Sequence, residues 1–156
     1  MAGMSVTWNL KGAGWVDVVI ADHQEEVGTA ASFITTAPED LLTAVAGLVL
    51  GESDTRAQFE AEPVAYRWIF HREGYDVWIR LLELSRGRRP DHAGTEIWSS
   101  WQTVDSVARA VIRCFDEVAH TYGESGYRGR WNEQFPRSEL EALRTAWRAS
   151  RHTKPA

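Results

Sequence analysis

Residues 65–82, AYRWIFHREGYDVWIRLL, decide the fold. Tyr66, Trp68 and Phe70 alternate with Arg67, Ile69 and His71. Beyond Glu73-Gly74, a second run sets Tyr75, Val77, Ile79 and Leu81 against Asp76, Trp78, Arg80 and Leu82. Period-two patterning marks a strand with one buried face, and two such runs across a short glycine-bearing turn mark an antiparallel hairpin. Just upstream, residues 56–62 alternate Ala57, Phe59 and Ala61 with Arg56, Gln58, Glu60 and Glu62, and Pro63 marks a turn. These three runs predict an antiparallel meander. Its outward Arg67 and Arg80 are expected to pair with Glu60 or Asp76 across strands.

Working outward, residues 85–94 (SRGRRPDHAG) read as a long loop, and residues 95–102 as a further strand with Trp98 and Trp101 on opposite faces. The N-terminal third reads as three more strands, over 6–10, 15–22 and 27–34, the first two joined by a glycine-rich turn at 11–14. Between the two β regions, Thr36, Pro38 and Glu39 signal a helix start, and the helix runs to about Leu50 with Gly51 beyond it. Apolar residues wrap most of its circumference, so it is buried on more than one side. Gly47 in its interior marks a close approach to a neighbouring element.

Downstream, Thr103 caps a helix whose Val104, Val107, Ala108, Val111, Phe115, Val118 and Tyr122 recur at helical spacing and which Gly123 ends. Residues 124–137 contain Gly126, Gly129 and Pro136 and predict an ordered loop pinned by Tyr127, Trp131 and Phe135. A last helix over 139–150 opens with a Ser138–Glu141 capping box, and residues 151–156 fray. The order βββ-α-ββββ-αα predicts an α+β fold, with one antiparallel sheet of six to seven strands and three helices mainly on one face. A length of 156 residues implies a single domain, 1–156, with an ordered core over about 5–150.

Composition narrows the function classes. Hydrophobic residues make up 44% and charged residues 25%, the balance of a globular chain. Cys114 is the sole cysteine, which excludes an intrachain disulfide and a cysteine-built zinc site. The longest apolar run, 41–50, is half the length of a membrane span, and residues 1–4 lack a signal peptide's charged and apolar regions, so a cytoplasmic location is expected. The net charge is −5 and uneven: residues 1–62 carry two basic and ten acidic groups, a net of −8, and residues 63–156 a net of +3. An acidic surface attracts a basic partner and makes nucleic acid an unlikely one, although solubility alone accounts for much net charge.

No recognised ligand spacing joins His23, His71, His92, His120 and His152, and no phosphate loop or nucleophile elbow is present. No metal, cofactor or catalytic residue is therefore assigned. Arg86, Arg88 and Arg89 form the one basic cluster, a solvated turn by default.

Two blocks carry a resemblance. Glu62-Pro63-Val64-Ala65-Tyr66-Arg67-Trp68, followed by the Arg72-Glu73-Gly74 turn, is one. The other joins Tyr122, Gly123, Gly126, Tyr127 and Trp131 to Phe135, Pro136, Glu139, Leu140 and Leu143. Together they resemble a family of small uncharacterised bacterial proteins, spanning roughly residues 30–145. Some of its members sit beside secreted polymorphic toxins as suspected immunity proteins. The resemblance implies a protein partner, a toxin domain, and brings no chemistry with it.

Eight tryptophans remain to be placed: Trp8, Trp15, Trp68, Trp78, Trp98, Trp101, Trp131 and Trp147. Core packing accounts for at least half. Alternation, however, leaves Trp78 beside Asp76 and Arg80 on the outer side, and Trp15 beside Asp17. Indole and guanidinium groups dominate binding hot spots. The partner-binding candidates are therefore Trp15, Asp17, Glu60, Arg67, Asp76, Trp78 and Arg80, on a protein-binding module of the immunity type that occludes a toxin domain. The alternative from another class is a small enzyme or small-molecule binder with a Trp-lined pocket between sheet and helices, using His71 or His92. A homodimer through the apolar first helix is a third reading.

Overall fold

The computed structural model describes residues 3–153, with the side chains of residues 152 and 153 left aside. Seven strands and three helices follow the order β1 (Ser5–Lys11), β2 (Trp15–Ala21), β3 (Glu26–Ser32), α1 (Ala37–Val49), β4 (Asp54–Glu60), β5 (Ala65–Glu73), β6 (Asp76–Leu84), β7 (Thr95–Thr103), α2 (Val104–Trp131) and α3 (Arg137–Thr153). The α+β class and the antiparallel pairing stand as expected. The single sheet does not: the strands form two sheets, β1-β2-β3 and β4-β5-β6-β7. The break falls where α1 interrupts the run of strands. β3 and β4 lie near one another without a ladder, and a Thr35 hydroxyl bond to the Gln58 carbonyl, 3.4 Å, bridges that gap.

One cluster of buried side chains unites the inner faces of both sheets with all three helices. Val6, Trp8 and Leu10 come from β1, Phe59 from β4, Trp68 and Phe70 from β5, and Phe115 from α2. Trp8 sits at its centre, with its ring 5.7 Å from Phe59, 5.2 Å from Phe115 and 6.1 Å from Trp131. The alternation read in β5 and β6 is the alternation found: Trp68, Phe70, Val77, Ile79 and Leu81 are fully buried. Leu82, opposite Arg67 on the other face, is also buried, because Gly94 of the following loop lies against it.

The first helix is enclosed by β4, α2 and α3, as its apolar circumference requires. A Cβ on Gly47 would strike the Glu52 carboxylate and come within 3.2 Å of Thr55, whose hydroxyl donates to the Ala44 carbonyl at 3.0 Å. The interior glycine is thus the price of close helix–strand contact. At the start of α1, Thr36 does not cap the backbone. Its hydroxyl donates to Asp40 Oδ1 at 2.9 Å.

Helix α2 departs from expectation. Thr103 caps it as read, accepting from the Ser106 amide at 3.0 Å. Gly123, at φ 68° and ψ 163°, breaks the helical path, a conformation only glycine holds without strain. Residues 124–131, read as loop, instead wind a second helical segment that Asn132 closes in the left-handed conformation. Gly126 and Gly129 each cost about 1 kcal/mol there. Burying Tyr127 and Trp131 outweighs that cost, because each ring removes 150–250 Å² from water at roughly 25 cal/mol per Å².

The last helix begins at Arg137, and Glu141, expected in a capping box, instead meets Arg137 at 2.7 Å and Arg144 at 3.1 Å. It continues to Thr153, so the expected fraying from residue 151 is not seen as far as that point, and residues 154–156 lie outside the described residues. No helix among the described residues is long and apolar enough to cross a membrane.

Both motif blocks prove structural. The Glu62–Pro63 peptide is cis in the β4–β5 turn, and Trp68 stacks on Phe70 at 5.8 Å. Tyr127, Trp131, Phe135, Leu140 and Leu143 are all buried.

Candidate protein-binding face

α1, α2 and β3 pack against the inner face of β4–β7, and on the reverse face His71, Trp78, Arg80 and Trp101 stay open to solvent. Register builds it in rows. Asp54 lies opposite His71, His71 opposite Trp78, and Trp78 opposite Trp101. The next row runs Arg56, Ile69, Arg80, Ser99. The two indoles pack at 5.2 Å with a 37° tilt, and Trp101 remains 44% exposed. Cross-strand packing therefore fixes the orientation of a pair of large rings that water still reaches, the low-entropy arrangement that suits a binding anchor.

Ion pairs surround the rings. Arg80 donates to Glu96 at 2.7 Å, and Arg56 to Asp91 at 2.6 Å. His71 bridges Asp54 (2.8 Å) and Glu73 (3.3 Å). The Asp54 hydrogen bond is the largest influence on His71 and, against an opposing desolvation, raises its pKa above the ordinary 6.5, with the Asp54 charge and Glu73 adding to the rise. Asp91 pays a desolvation cost, yet hydrogen bonds from Arg67 and Arg56 hold its carboxyl below the usual carboxylate value. Asp54, Glu60, Glu73, Asp76, Asp91 and Glu96 are balanced by Arg56, Arg67, Arg80 and the exposed Arg86, Arg88 and Arg89 of the covering loop, with His71 neutral.

The sequence candidates scatter over this frame. Trp78 and Arg80 lie on the face, and Asp76 is exposed at its hairpin end. Arg80 pairs with Glu96 of β7, not with Glu60 or Asp76, because β7 supplies the nearer carboxylate. Glu60 is half-buried and accepts from the Gln58 amide. Arg67 faces outward by parity but is only 8% exposed, because residues 85–94 fold over it. Its guanidinium donates to Gln58 Oε1 (2.7 Å), the carbonyls of Arg89 and Gly87 (2.9 Å each) and Asp91 (2.7 Å). It therefore anchors the loop and does not pair with Glu60 or Asp76. Trp15 (42% exposed) and Asp17 belong to β2 of the other sheet, where Lys11 lies 3.8 Å from Asp17. The structure does not bring them into the Trp78 ladder.

Trp101, Ile69, His71 and Glu96 also belong to this surface and were not among the binding candidates, although alternation had set Ile69 and His71 on the Arg67 face. Trp101 was legible: Trp98 is buried, and three residues on, the opposite parity points out. The histidines of the alternative reading are elsewhere than it needs. His71 stands on the outer face and His92 on the exposed short helix Asp91–Ala93, neither between sheet and helices. Among the described residues no cluster of three metal-ligating side chains occurs.

No family model matches the chain, and no curated protein is similar to it. Among solved structures it is similar to a chain of the "CdiA-CT/CdiI toxin and immunity complex from Enterobacter cloacae", with a TM-score of 0.46 and 12% identity, covering 74% of this chain and 99% of that one. A likeness of that degree says nothing of function.

Proposed function

We propose that this protein is a protein-binding module that docks a partner on the outer face of β4–β7, with Trp78 and Trp101 as anchors and Arg80, His71 and Asp76 at the rim. The observation that carries the reading is the exposed indole pair, held in place by its own ladder while the charges around it are already matched. Burying such rings supplies the affinity. The immunity-type reading, occlusion of a basic toxin domain in the cytoplasm, rests on the resemblance of the two motif blocks. Trp15 and Asp17 would extend the contact only for a partner large enough to reach both sheets.

Site-specific photo-crosslinking tests the location. A benzophenone amino acid at position 101 is compared with one at position 50, where Leu50 is more exposed still but lies on the C-cap of α1. The reading expects a discrete adduct in the native cell from position 101 and none from 50. Equal adducts, or none from 101, would overturn it.

A further inference from the structure

A second surface lies on the open edge of the smaller sheet, independent of the outer face of β4–β7. β1 ends the order β1-β2-β3. Opposed residues in an antiparallel ladder alternate between hydrogen-bonded and non-bonded pairs. The Leu10 amide donates outward to the Tyr122 hydroxyl at 3.1 Å, so Leu10–Val16 is a non-bonded pair. Trp8–Val18 and Val6–Ile20 share its parity. The N–H and C=O groups of Val6 and Trp8 thus point away from β2, and among the described residues none hydrogen-bonds them across that edge.

Beside this edge runs a groove of about 410 Å³ between β1 and α2. Ala110, Cys114 and Val118 give its α2 wall an apolar strip, and Arg113 and Glu117 stand on it. Tyr122 closes the Leu10 end. At the Met4 end a smaller cleft continues past Arg109 and Arg113. Arg113 is exposed, and no carboxylate of the described residues lies within ion-pairing distance of it.

Unsatisfied backbone groups in register, a helix wall opposite and a free guanidinium at one end suit a single kind of occupant. We propose that β1 and α2 capture an extended peptide segment of a protein partner by strand addition, antiparallel to β1, with an acidic side chain near its C-terminal end set against Arg113. Val6 and Trp8 supply the main-chain bonds, the source of affinity in strand addition, and Arg113 supplies selectivity.

The test uses ¹⁵N-labelled full-length protein and two blocked peptides, acetyl-Thr-Val-Thr-Val-Glu-amide and its Gln counterpart. The Glu peptide is expected to shift the Val6 and Trp8 amides and slow their hydrogen exchange. The Gln peptide is expected to bind about tenfold more weakly. Arg113→Glu, an exposed change that breaks no described contact, is expected to abolish that preference. Unmoved Val6 and Trp8 amides, equal affinity for the two peptides, or shifts gathered around the Trp101 indole would each overturn the proposal. Failure here leaves the outer-face reading untouched, because Trp101 reports it separately.

Discussion

Replacing Arg67 by Met keeps the aliphatic stem and removes the fork that ties residues 85–94 to β5. Four hydrogen bonds disappear, two to loop carbonyls, one to Gln58 and one to Asp91. Removing one partner of a buried pair costs 3–5 kcal/mol where the other is stranded. Asp91 is not stranded: its side chain is 42% exposed and keeps Arg56. The Asp91 share is therefore small after solvent screening. What remains is the loss of donors to the Gly87 and Arg89 carbonyls and to Gln58, which places the total at about 2–3 kcal/mol. At this chain length that lowers the thermal midpoint by about 4–12 °C. Urea unfolding measures the stability. Limited trypsin digestion measures the loop, because Arg86 and Arg88 lie within it and cleavage after them needs local opening. The variant should be cut there faster than its global stability loss alone predicts. A loss below about 0.5 kcal/mol with unchanged cleavage would refute the anchoring role.

Three further outcomes follow from the packing and the charges. Gly123→Ala meets no steric obstacle, so its cost of about 1–3 kcal/mol in urea unfolding reports backbone conformation alone; no loss would mean the break in α2 moves elsewhere. Trp8→Ala empties the centre of the core and should cost about 3–5 kcal/mol, read as a thermal midpoint lower by roughly 6–20 °C. His71 should titrate above 6.5 by NMR, and Asp54→Asn should bring it back down. Because its folded value is raised, its stabilising contribution is full below the unfolded pKa and is lost as pH rises through the folded one. Protonation also adds one positive charge to the face, so affinity for a basic partner should fall as pH drops through that same value.

Much of the fold was legible, and the misses share a cause. Alternation assigned the faces of β5 and β6 correctly because a period of two is a local property. It could not say which strands become neighbours, so two sheets read as one. Parity also placed Arg67 outward correctly. That the side chain is nonetheless buried depends on a loop some twenty residues away, beyond any local pattern. The second segment of α2 was lost to its glycines, whose local penalty yields to the burial of Tyr127 and Trp131. The surface was half-legible: Trp78 and Arg80 by pattern, Trp101 by the same pattern one strand on. Trp15 and Asp17 came by analogy of pattern, and the structure sets them on a different sheet.

The most direct test is the affinity for the partner captured at position 101, measured for the wild type and for Trp78→Ala and Trp101→Ala. Truncating an anchor ring costs 2 kcal/mol or more, so each variant should bind at least about thirtyfold more weakly, with Trp101→Ala leaving the thermal midpoint within a few degrees. Unchanged affinity in both variants, or a loss that merely tracks unfolding, would contradict the account.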